Sequence, residues 1–214
     1  MAAGSGKARE ADILFSMAVF FAALGGFAFG AAVQYLGTLA AGSVLGTWSW
    51  TVSGLSAPWL VLPFVVGLTQ ERSRRAMALG LIVSLAALSG YFAMTQSPME
   101  GTPISRFFPQ LVTMVRTGYN PLWIVGGLVT GPLYGLLGQR WRVRRSWISA
   151  ALVACALCFE PLARGLVGTL SPHPMVWVVE VALGGVMAVS FAFLIVVSRR
   201  TATGSALPPS TRSA

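Results

Sequence analysis

The sequence predicts an all-α, polytopic membrane protein with six transmembrane helices. Three observations predict it. First, 55% of the residues are hydrophobic and only 10% are charged, against about 25% charged in a typical soluble domain. So little polar surface cannot wrap so much apolar core, and the surplus must face lipid. Second, the apolar residues form long continuous runs, not the alternating runs of a porin strand. Lipid offers backbone N–H and C=O groups no partner, so continuous runs become helices. Third, the basic residues stand in short blocks between the runs.

Each run is weighed against the roughly 20 residues that a helix needs to cross hydrocarbon. The first spans residues 13–35 and the second ends at Thr69, starting near Thr51. The third covers 76–94, the fourth 121–137, the fifth 147–170 and the sixth 175–197. The first run is longer than a signal-peptide core and has no clear cleavage site, so it is expected to be retained. The domain plan is a tail over 1–12, a six-helix membrane domain over 13–198 and a disordered tail over 199–214, rich in Ser, Thr, Pro and Ala.

Orientation follows from the basic residues. Lys7, Arg9, the blocks Arg72–Arg75 and Arg140–Arg145, and Arg199, Arg200 and Arg212 fall on one face of this plan, twelve in all. The other face takes Arg106, Arg116 and Arg164. The arginine-rich face is cytoplasmic by this rule, which places both termini in the cytoplasm and the chain in a bacterial plasma membrane. The net charge of +9 is thereby read as topology, and nucleic acid is not an expected partner. The outer connections carry their own signals. Residues 37–56 are uncharged and hold Trp48 and Trp50, which suits an interfacial or partly re-entrant loop. Within 97–119, Thr102 and Pro103 suit a helix start. Ile104, Phe107, Phe108, Leu111, Val112 and Val115 then share one face of an amphipathic helix.

Glycines are patterned as well. Gly26 and Gly30 share a face of the first run, and Gly127, Gly131 and Gly135 form a stripe on the fourth. Small stripes let helices approach closely in lipid, within one chain or against a second subunit or copy. The sequence around Gly25–Gly30 echoes that around Gly126–Gly131. A 3+3 inverted repeat, common in transporters, is one reading; two unrelated packing faces are the other.

Charges inside spans are costly and usually functional. Glu160 and Arg164 stand four apart in the favourable order for a helical pair. Pro161 between them removes an N–H that the Leu157 carbonyl needs, and should kink the helix. At 1.5 Å per residue, Glu160 lies about 20 Å from the inner end of its span, and Glu180 about 8 Å below the outer end of the next. All three share a depth in the outer half, where Gln34 and Asn120 can join them. Two readings stand. One is an outward-facing polar site for a small molecule or a proton; the other is an ion pair and a carboxylic acid that hold helices together.

Other chemistry is thin. Cys155 and Cys158 make a C-x-x-C in mid-membrane, far from the helix start where thiolate is favoured, so packing is expected of them. His173 is the only histidine, which excludes a multi-histidine metal site. Ser53 and Ser56 have no paired base. The only lysine is in the N-terminal tail, so there is no phosphate loop. No catalytic activity, cofactor or metal is expected. Small-molecule binding or transport is the first functional reading, and a non-catalytic partner or scaffold subunit the second.

Two resemblances accompany these residues. The stretch Ala57-Pro58-Trp59 to Gly67, Arg74-Arg75-Ala76 with Gly90-Tyr91, Gly131-Pro132 to Gly138 with Trp141-Arg142, Glu160, and Trp177 to Gly184 with Glu180 resemble uncharacterised actinobacterial six-span membrane proteins. In architecture the chain is similar to the S components of energy-coupling-factor transporters. That likeness implies a small-molecule site near the outer face and a docking face for a coupling subunit at Ala22, Gly26 and Gly30.

Overall fold

The computed structural model describes residues 3–38, 55, 57–101, 103–117, 121–166 and 174–204. Among them the chain is helical, with no strand. The helices are α1 (Ala3–Thr38), α2 (Ala57–Leu68), α3 (Ser73–Thr95), α4 (Ile104–Thr117), α5 (Pro121–Arg144), α6 (Trp147–Leu166) and α7 (Pro174–Gly204), with a 3-10 turn at Pro98–Glu100. α1 runs back through most of the expected N-terminal tail, and α7 continues to Gly204 past the expected start of the C-terminal one. Ala, Arg and Glu are good helix formers, so extending a helix beyond the lipid costs little.

The expected six spans are corrected to four. Among the described residues, only Asp12–Thr38, Ser73–Thr95, Trp147–Leu166 and Trp177–Val197 are long and apolar enough to cross a membrane. α2 has 12 residues and is therefore about 18 Å long, short of the ~30 Å hydrocarbon core. The run that feeds it starts earlier, but the helix begins at Ala57, where Pro58 suits a first turn. α5 is long enough, but Gly126, Gly127, Gly131, Gly135 and Gly138 dilute its apolarity and Gln139, Arg140, Arg142 and Arg144 close it. Those glycines also let α5 pack against α2 and α3, so it needs less apolar surface than a lipid-facing span.

Six helices alternate in direction. Asp12 of α1 pairs with Arg75 of α3 at 3.2 Å, and further along Gly30 meets the backbone of Ala87. α1 and α3 are thus parallel. Trp59, near the start of α2, stacks edge-on against Tyr91, near the end of α3, while the last carbonyls of α2 meet Arg142, near the end of α5. α2 and α5 therefore run together, opposite to α3. α6 turns back from α5 through Arg145, whose φ is 46°, and α7 returns along α6. As a result Arg72, Arg74, Arg75, Arg140, Arg142, Arg144 and Arg145 gather at one end of the bundle.

The centre is α3. Ala76, Leu79, Val83 and Ala87 on it are almost wholly buried, between α1 on one side and α5 on the other. Glycine sets both distances. A Cβ on Gly26 would stand 2.5 Å from the Val83 carbonyl oxygen, and one on Gly30 would collide with Ala87. On the other side a Cβ on Gly131 would lie 2.8 Å from the Gly80 carbonyl oxygen, and one on Gly135 would strike Ala76. Gly127 faces the Leu88 side chain. All five glycines named from the sequence are at helix contacts, joined by Gly80 and Gly90 on α3 itself. The repeat is not seen. It would set the α5 stripe against α7 as the α1 stripe sets against α3; instead both stripes pack on α3. The outward faces of α1 and α7, including Phe20, Leu24, Val186, Val189 and Phe193, are exposed, as lipid contact requires.

Gly131→Leu is expected to lower unfolding stability in detergent by roughly 1–3 kcal/mol through overpacking. Gly25→Leu, whose Cβ meets nothing within 4 Å, is expected to stay within about 0.5 kcal/mol of the parent. Melting curves of the two variants provide the check.

Candidate functional site

The first N–H groups of α2 need partners, which lipid cannot supply. Glu160 of α6 provides one. Its Oε2 accepts the backbone N–H of Ala57 at 3.0 Å, across 103 residues of sequence. Its Oε1 accepts Nε–H of Arg164 at 2.8 Å and lies 2.8 Å from a terminal nitrogen of the same guanidinium. The carboxylate thus sits at the positive end of a helix dipole and beside a cation, two stabilising placements for a buried negative charge. Only 6% of the Glu160 side chain is exposed, against 24% for Arg164. α6 runs on as helix through Pro161.

α7 closes the cluster. The Arg164 guanidinium lies over the Trp177 ring, 5.8 Å from its centroid. Three residues on, Glu180 is 2% exposed, with Glu160 and Arg164 as its ionisable neighbours. Gly184 brings it there: a Cβ at that position would stand 2.6 Å from Cys158 Sγ and 3.1 Å from Leu157 Cβ, so the two helices touch one turn away. No N–H group reaches the oxygens of Glu180, which face the Glu160 carboxyl. Formally, one guanidinium faces two carboxyl groups, and a proton or another cation is needed to balance them.

The structure brings together three of the five expected site residues, Glu160, Arg164 and Glu180. Gln34 belongs to α1, which packs chiefly on α3, and Asn120 lies outside the described residues, as do Thr102 and His173. Two contributors were not foreseen. Trp177 stands in the sequence only as the start of the Trp177-to-Gly184 stretch with no role attached, and the Ala57 N–H has no side-chain signature. Cys158 is a packing residue against Val181 and Gly184, and Cys155 is exposed. Among the described residues no group of three or more His, Cys, Asp or Glu is placed to hold a metal. Ala22, Gly26 and Gly30, the docking face implied by the S-component likeness, are already covered by α3.

Arg164→Met is expected to lose on the order of 2–4 kcal/mol of stability, somewhat less than a fully buried pair because the arginine is partly solvated. Adding Glu160→Gln should recover much of the loss, since the amide oxygen still accepts the Ala57 N–H. A double-mutant cycle on unfolding measures the coupling, which additive losses would refute.

The chain matches no curated protein and no solved structure. A family model described as a family of unknown function, DUF6518, matches residues 13–208. That match takes in nearly all of the four candidate spans and the whole Glu160 cluster, and the chain belongs to the DUF6518 family.

Proposed function

We propose that this chain is a small-molecule binding or transport component of a bacterial plasma membrane, with an outward-facing polar site at Glu160, Arg164 and Glu180. Glu180 carries the reading. It is 2% exposed, no N–H group reaches its oxygens, and it shares the single Arg164 guanidinium with the Glu160 carboxyl that it faces. Burying a carboxyl group without a cation of its own costs several kcal/mol, and such groups within spans are by default functional. The short α2 adds support, because binding sites in transporters are commonly built around helix ends that fall inside the membrane.

In this reading the arginine-rich end is cytoplasmic and carries both termini. The cluster then lies toward the outside, with Arg164 as its partly exposed member. α4 leaves Ile104, Phe108 and Val112 exposed, which suits a helix lying on the outer leaflet. A scaffold role within a larger membrane complex is the second reading; the stripes now seen within the bundle leave it the exposed faces of α1 and α7.

Glu180→Gln separates these roles. Because an amide at this position can donate to the Glu160 carboxyl that it faces, the variant is expected to melt within about 1 kcal/mol of the parent. A metabolite panel screened by thermal shift should contain a compound that stabilises the parent, by about 2.7 kcal/mol at a hundredfold excess over Kd, and not the variant. A panel that treats both proteins alike would favour the scaffold. For the orientation, Arg164→Cys without Cys155 and Cys158 should react with an impermeant thiol reagent added outside intact cells; reaction only from the cytoplasmic side would reverse it.

A further inference from the structure

Two of the four candidate spans, Ser73–Thr95 and Trp147–Leu166, start at the arginine-rich end of the bundle, where α5 finishes. Polar contacts draw that end together. Ser73 Oγ donates to Gln139 Oε1 at 3.2 Å, and Gln139 Nε2 donates to the Glu71 carbonyl at 2.8 Å. These bonds set Arg72 and Arg74, on either side of Ser73, near Arg140, the neighbour of Gln139. The left-handed turn at Arg145 then places the basic end of α5 next to the apolar start of α6.

Two of the arginines at this end are committed to the fold. Arg75 pairs with Asp12, and Arg142 pairs with Glu71 while it holds the end of α2. The other five are exposed. Arg72, Arg74, Arg140 and Arg144 form no salt bridge among the described residues, and Arg145 lies over the Trp141 ring, 5.4 Å from its centroid. Like charges gathered in this way repel one another, and a bound anion relieves them.

Apolar side chains are interleaved with these charges. Val143, Trp147 and Ile148 are 52%, 64% and 52% exposed, and the exposed apolar face continues along α6 through Leu152 and Phe159. A soluble acidic partner would match the arginines and leave this strip bare. An amphiphile with a negative head and hydrocarbon tails matches both. Guanidinium groups take phosphate oxygens in pairs, and tryptophan favours the border between headgroups and hydrocarbon. Clusters of about four to eight basic residues beside a span recognise anionic lipid.

We infer that this end of the bundle binds an anionic phospholipid, whose phosphate is held by Arg72, Arg74, Arg140 and Arg144 and whose acyl chains lie along α6 from Trp147. Arg145 stands at the turn between head and tails. The surface lies about 20 Å along α6 from Glu160, and it binds lipid whichever side of the membrane it faces.

Native mass spectrometry tests this on the purified full chain, released from micelles that hold equal amounts of phosphatidylglycerol and phosphatidylcholine with matched acyl chains. The ratio of the two lipids retained is the readout. The parent is expected to favour phosphatidylglycerol by roughly fivefold or more, since one basic residue near a membrane surface contributes about that factor. Arg140→Gln combined with Arg144→Gln should bring the ratio close to parity. Arg106→Gln, which removes an exposed charge on α4, should leave it unchanged. Raising ammonium acetate from about 0.1 M to about 1 M should lower the parent's ratio by screening, and this comparison decides alone if the double variant fails to fold. Glycerol 3-phosphate at the lipid's concentration should displace nothing. Equal retention of both lipids by the parent would overturn the inference. So would a ratio indifferent to salt or unchanged in the folded double variant, or displacement by glycerol 3-phosphate, which would mark a site for soluble phosphate.

Discussion

A helix that begins and ends within or near hydrocarbon carries unpaired N–H groups at one end and unpaired carbonyls at the other, and nothing in the lipid relieves them. α2 meets this constraint at both ends with charges from distant helices. Glu160 takes the Ala57 N–H at the start. Arg142 gives hydrogen bonds to the carbonyls of Leu68 and Thr69 at the finish, at 3.2 and 2.6 Å. Each charge is the sign that the helix dipole favours at that end. Gln139 adds a bond to the Glu71 carbonyl at 2.8 Å, which ties the turn after α2 to α5. A 12-residue helix, unable to cross alone, is thus clamped between α5 and α6.

The rest of the bundle can be seen from that clamp. Glycines on α1, α3 and α5 bring backbones close enough for packing to hold helices together where no hydrophobic drive separates protein from lipid. They set a rigid centre around α3. α6 and α7 are joined to that centre more loosely, through Glu160 on α2 and through the contacts of Phe191 with Phe64 and Trp141. The ionisable cluster lies at this seam. It depends on where α2 starts, so a shift of that first turn moves it.

Much of this was legible in the residues. The apolar runs place the helices, and the arginine blocks foretell that six of them alternate with one basic end. Glu160 and Arg164 could be paired because they share a helix at a spacing of four. Glu180 could be added because depth along a helix is simple arithmetic. What failed was the count of spans. Residues 37–56 are apolar and uncharged, so hydropathy lets the second run be drawn long enough to span, whereas α2 covers Ala57–Leu68. The fourth run reads as one more span by its length, although its glycines, three of them legible as a packing stripe, lower its apolarity. The Ala57 N–H and Gly184 have no pattern around them. A backbone donor has no side chain to notice, and a lone glycine is common.

The central claim is that the Glu160 carboxylate satisfies the start of α2. Amide hydrogen exchange at Ala57, followed by NMR on the full chain in detergent, tests it most directly. Ala57 should be protected in the parent protein and in Glu160→Gln, which keeps an acceptor oxygen. In Glu160→Ala its exchange should rise roughly ten- to a hundredfold, the worth of a hydrogen bond to a charged group, while amides in the middle of α3 stay protected. Equal exchange at Ala57 in the parent and in Glu160→Ala would contradict the account.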